Sequence, residues 1–79
     1  MTTKRQRDVE VFDTPSGLGG SYTVSIEAED AERVRVRVWY GRPTSTGWES
    51  WADWDGYTFE TTRGALRNPR RMSLYRDRS

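Results

Sequence analysis

Seventy-nine residues hold one small domain and leave no room for a second core. The chain has no cysteine and no histidine, so it lacks a disulfide framework, a thiolate nucleophile, an imidazole base and the sulfur and imidazole metal ligands; zinc chemistry and Ser-His or Cys-His catalysis are excluded. The net charge of +1 conceals a segregation: residues 1–7 carry three basic and no acidic groups, residues 8–62 four basic and eleven acidic, and residues 63–79 six basic and one acidic, or +3, −7 and +5.

In chain order, residues 1–7 read as a basic, flexible arm containing Lys4, Arg5 and Arg7. No apolar stretch follows them, and no run in the chain has the length of a membrane span, which predicts a soluble, cytoplasmic protein without a membrane partner. Val9 and Val11 alternate with Asp8 and Glu10, predicting a strand over 8–12. Thr14-Pro15-Ser16-Gly17 ends it, and Gly17-Leu18-Gly19-Gly20 reads as a flexible connector; no Gly-Lys-Ser/Thr follows that would make it a phosphate loop.

Tyr22, Val24, Ile26 and Ala28 alternate over 21–29, and Val34, Val36, Val38 and Tyr40 over 33–40, so two strands should form a hairpin around Asp30-Ala31-Glu32. A register pairing Ile26 with Val36 sets Ser25 opposite Arg37, Glu27 opposite Arg35 and Glu29 opposite Arg33. The outer face then shows Arg33, Arg35, Arg37 and Trp39. It can serve as a phosphate-tracking, base-stacking surface, or as strand charges that are neutralised by the glutamates and keep sheet edges apart.

Residues 41–47 read as a loop. In the run Trp48 to Arg63, Asp55-Gly56 between two alternating segments predicts a type I′ hairpin with strands at 48–54 and 57–63. That register sends Trp48, Trp54, Tyr57 and Phe59 toward a core and leaves Trp51 alone on the other face, among Glu49, Asp53 and Glu60. Carboxylates around a tryptophan outline a glycoside-cleaving site, but a domain this small is expected to lack the cleft that would enclose them, and they read as solvated strand residues. Residues 64–79 form a basic segment expected to pack Leu66, Met72 and Tyr75 on the sheet. Asn68-Pro69 suits the start of a short helix to about Asp77, while Met72 and Leu74 alternating with Arg71, Ser73 and Tyr75 suit a closing strand; both readings stand.

The fold class that follows is all-β, or α+β if the tail is helical: an antiparallel meander of about five strands, as an SH3-like barrel or a sheet covered by the C-terminal segment. Hairpins at 21–40 and 48–63 share one apolar layer within a domain spanning 8–63. Strand order and size over residues 8–76 are similar to SH3-like small barrels. The segment Tyr57 to Arg67, YTFETTRGALR, resembles the strand-to-helix junction of the three-stranded-sheet DNA-binding domains of phage integrases.

No enzyme is expected and no cofactor or metal is implied. The residue types enriched at binding hot spots point to a protein partner held by Arg35, Arg37, Trp39 and Trp51. In size and character the chain is similar to small phage-encoded inhibitors such as anti-CRISPR proteins, a resemblance that implies stoichiometric inhibition or adaptation. The alternative is nucleic-acid binding through Arg63, Arg67, Arg70, Arg71 and Arg76, with Lys4 and Arg5 from the arm. Homo-oligomerisation is open.

Overall fold

The computed structural model describes residues 7–45 and 47–74, apart from the side chains of Arg7 and Leu74. Valine alternating with arginine builds its centre. In β3 (Val34–Val38) the three valines point to one face, each no more than 3% exposed, because successive strand side chains alternate. β2 (Ser21–Glu29) pairs with β3 antiparallel, and β1 (Arg7–Pro15) pairs with β2.

Three further pieces complete the described fold. β4 (Gly41–Thr44) and β5 (Gly47–Ser50) form a separate two-stranded sheet, inserted in the chain between β3 and β6 (Thr58–Thr61). β6 adds to the free edge of β3. A 3-10 turn at Arg63–Ala65 then leads to β7 (Arg67–Leu74), which adds to β1 on the far side, giving the order β6-β3-β2-β1-β7. The fold is all-β and antiparallel, as composition and alternation predict. It is an open sheet with β6 and β7 as edges, not a closed barrel. No helix among the described residues is long and apolar enough to cross a membrane.

The valine face holds the core: Val24, Val34, Val36 and Val38, with Phe12, Ile26, Phe59 and Leu66 packed against them. Burying a valine side chain stabilises a fold by about 1.5–3 kcal/mol, so this cluster is the main source of cohesion. On the opposite face the registers align Arg70, Val11, Ser25, Arg37 and Thr58 in one row across all five strands. Ion pairs cross that face from Arg37 to Glu27, Arg35 to Glu60 and Arg70 to Asp13.

Several expectations need correction. The predicted 48–63 hairpin does not form: residues 47–50 pair with 41–44, and 58–61 pair with β3, where Phe59 lies opposite Val36. A type I′ turn requires left-handed φ at both central residues, and of the two only Gly56 has it (φ 93°). The 41–47 loop contains a strand, and Trp54 and Tyr57 are exposed, not core.

The register of β2 against β3 keeps Ile26 opposite Val36 and Ser25 opposite Arg37, but a bulge at Glu27 moves Ala28 opposite Arg35 and Val34 opposite Glu29. Residues 16–20 form a defined turn, closed by Ser16 N–H to the Gly20 carbonyl (3.1 Å), with left-handed Gly19 and Gly20. Over Arg67–Leu74 the tail is a strand, which gives the open edge of β1 its hydrogen-bond partners. Asn68 (φ 52°) and Pro69 form the irregularity in that edge strand in place of a helix start. The expected contribution of Tyr75 lies outside the described residues.

Candidate functional site

Tyr40 continues the stripe of Val34, Val36 and Val38 past the end of β3, so it emerges on the valine face where the sheet stops. Trp39, one residue earlier, points to the other face. Its indole Nε1–H donates to Ser25 Oγ (2.7 Å), Arg37 lies 6.0 Å over its ring, and Trp48 meets it edge to face at 5.3 Å. This pair docks the β4–β5 hairpin on the sheet.

The hairpin is then locked by one carboxylate. Asp55 Oδ1 accepts from the Tyr40 backbone N–H (2.8 Å), and Oδ2 accepts from Trp48 Nε1–H (2.8 Å) and from the Ser50 hydroxyl. Such charge-assisted bonds are about twice as strong as neutral ones. Beside them, Gly56 N–H donates to the Val38 carbonyl (2.9 Å) and Trp51 N–H to the Tyr40 carbonyl (3.0 Å). Gly41 is obligatory at the close approach of β4 to β5, since a Cβ there would overlap the Glu49 carbonyl oxygen and crowd the Trp48 indole.

These bonds hold a continuous run of rings at the surface. Trp51 meets Tyr40 edge to face (5.3 Å), Tyr40 stacks on Trp54 (4.4 Å between centroids, 19° between planes), and Trp54 meets Tyr22 edge to face (6.3 Å). Tyr57 stacks on Phe59 nearby (6.2 Å). Tyr22, Tyr40, Trp51, Trp54 and Tyr57 are 36–61% exposed, and Leu18, at the tip of the β1–β2 turn, is 95% exposed. An open groove of about 650 Å³ runs along this end of the sheet, walled by Leu18, Tyr22, Trp54 and Tyr57 and floored by Val38 and Phe59. No charged side chain among the described residues lines it.

Of the protein-binding residues expected from sequence, only Trp51 belongs to this face. Arg35 and Arg37 are ion-paired on the other side of the sheet, and Trp39 is half-buried beneath Trp48. Of the arginines of the nucleic-acid alternative, Arg67, Arg70 and Arg71 share β7, and Arg63 stands in the 3-10 turn before it. Arg63 pairs with Glu29, next to the β6 edge, and Arg70 pairs with Asp13 at the β7 edge (3.0 Å). Arg67 and Arg71 are exposed on β7; Lys4, Arg5 and Arg76 lie outside the described residues. Hydrogen bonds from Arg70 and then Asn68 hold the Asp13 carboxyl below the ordinary aspartate range.

Sequence reasoning missed Tyr22, Tyr40, Trp54 and Tyr57. The available signal was an aromatic at the end of each apolar stripe, just where Gly-rich or Asp-Gly turns stop the sheet from covering it. No group of three or more acidic side chains placed to hold a metal occurs among the described residues. Comparison with protein-family models, with curated proteins and with solved structures finds no match to this chain.

Proposed function

We propose that this chain is a non-enzymatic binding protein that acts on a larger protein partner, as a stoichiometric inhibitor or adaptor, through the aromatic face. The observation that carries the reading is the run Trp51–Tyr40–Trp54–Tyr22, four large rings fixed against one another while each remains at least one-third exposed. A patch of this kind on a small domain marks an interaction surface. Rings already locked by packing lose little conformational freedom on binding, and tryptophan and tyrosine dominate binding hot spots.

The nucleic-acid reading is supported by Arg67 and Arg71, two exposed arginines on β7 with no ion pair among the described residues. It is weakened by the ion pairs that neutralise Arg63 and Arg70.

One experiment separates the two. The full chain and its Trp51→Ala/Trp54→Ala variant are used as bait in cell extract, and the same proteins are titrated with DNA and RNA from about 50 to 200 mM salt. A protein retained by the native chain and lost by the variant supports the aromatic face. Equal retention by both overturns it. Nucleic-acid binding with a steep salt slope that flattens in Arg67→Ala/Arg71→Ala favours the alternative.

A further inference from the structure

We infer that a second copy of this chain pairs with the first through β6, strand against strand across a two-fold axis, so that two five-stranded sheets join into one. The inference is independent of the aromatic face. It rests on the unequal protection of the two sheet edges.

An edge strand presents unpaired backbone N–H and C=O groups, and such an edge templates further pairing unless the sequence blocks it. β7 is blocked. It carries Arg67, Arg70 and Arg71, Pro69 brings no N–H, and Asn68 and Pro69 fall where its register against β1 shifts. An antiparallel copy of it would also bring these arginines together. β6, Thr58-Phe59-Glu60-Thr61, has no proline, no basic residue and no register shift against β3. Its one charge, Glu60, is already paired with Arg35.

The register fixes which groups of β6 face outward. Val38 N–H donates to the Tyr57 carbonyl (2.8 Å), so by antiparallel alternation Phe59 and Thr61 exchange bonds with Val36 and Val34. The backbone groups of Thr58 and Glu60 therefore point away from the sheet. The ways of pairing them with a second β6 are not equal. Glu60 opposite Glu60 opposes like charges. Thr58 opposite Thr58 sets Glu60 against Gly56, whose N–H is already bonded to the Val38 carbonyl (2.9 Å).

Thr58 opposite Glu60 uses the outward groups of both strands and opposes no like charges. It also sets Phe59 directly against Phe59 of the second copy, in the close, non-hydrogen-bonded position where aromatic pairs stabilise a sheet. Ile26, Val36 and Phe59 already share one row of the valine face, and Phe59 is only partly buried there. The pairing makes that apolar row continuous across both sheets.

The test follows the native full chain from about 50 μM to 1 mM. Two short strands make a small interface of the transient class, so sedimentation should show a monomer–dimer equilibrium with a dissociation constant on the order of 100 μM. Hydrogen exchange at the Thr58 and Glu60 amides should slow about threefold over that range as the monomer fraction falls. Thr58→Asp places a carboxylate opposite Glu60 of the second copy and should weaken the dimer about fivefold, while Thr58→Lys should tighten it by a similar factor. Glu60→Pro removes a donor that the single chain does not use, at an edge position that tolerates proline, and should leave a folded monomer at every concentration.

A monomer throughout the series overturns the inference, as does an oligomer larger than a dimer. So does a dimer in which the Thr58 and Glu60 amides exchange at the same rate at every concentration. Thr58→Asp and Thr58→Lys moving the affinity in the same direction would overturn the register.

Discussion

The five-stranded sheet and the β4–β5 insertion are held by different forces. The sheet buries small β-branched side chains: Val24, Val34, Val36 and Val38 are at most 3% exposed and need no polar partner. The insertion contains Trp48 and leads into Trp51 and Trp54, yet two of these three remain 47–56% exposed. Its position rests on Asp55, which ties Tyr40, Trp48 and Ser50 together. The difference teaches how a small domain keeps large aromatics available: dispersed valines supply cohesion, and directional hydrogen bonds fix the rings where packing does not bury them.

Breaking each half tests this division. Val36→Asp puts a carboxylate at a fully buried position in an interior strand, a cost of several kcal/mol against a total stability of about 5–15, and circular dichroism should show an unfolded chain. Asp55→Ala should cost about 2–3 kcal/mol and act locally, since three donors lose their acceptor. Hydrogen exchange at Tyr40 and Trp51 should then accelerate while Val24 and Val36 keep their protection. Equal acceleration everywhere would show that the insertion and the sheet unfold as one unit.

A smaller effect sharpens the contrast from the sheet side. The Asp13 carboxyl has a depressed folded-state pKa, so between that value and about 4 the unfolded chain binds more protons than the folded one. Its stabilisation is therefore complete above about pH 4 and lost as pH falls through the folded value. Asp13→Asn should flatten that acid limb in denaturant midpoints measured across pH, with a loss of about 1 kcal/mol or less at neutral pH. The smallest change in stability is expected for Trp51→Ala, within about 1 kcal/mol, while partner binding falls. A large loss of stability would mean that the exposed ring is structural after all.

The two halves also differ in legibility. The strand at 21–29 and the turn at Asp30 can be read directly, and the turn is closed by Asp30 Oδ1 accepting from Glu32 N–H (2.9 Å) and Arg33 N–H (2.8 Å). Alternation sufficed there because one face is buried, and a one-residue slip would expose it. The bulge at Glu27 was not readable, since alternation fixes which face a residue takes but not where an extra residue is accommodated. For Trp48 to Arg63, local pattern and turn chemistry agreed on a hairpin that does not exist. The pairing partners are non-local: Phe59 gains more from lying opposite Val36 in a buried sheet than from facing Ala52 across a local turn.

For the candidate site, Trp51 was identifiable as the tryptophan out of phase with the others, but its company was not. Tyr22, Tyr40 and Trp54 are separated by up to 32 positions and meet only because β2 starts, β3 ends and the Asp55 turn closes at the same end of the sheet. Composition and period-two alternation by themselves determined an antiparallel β domain, its central hairpin and the absence of imidazole and thiolate chemistry. Tertiary structure alone decided which strands are neighbours, which arginines are neutralised and which rings reach solvent, because hydrogen-bond partners and burial are set by residues distant in the chain.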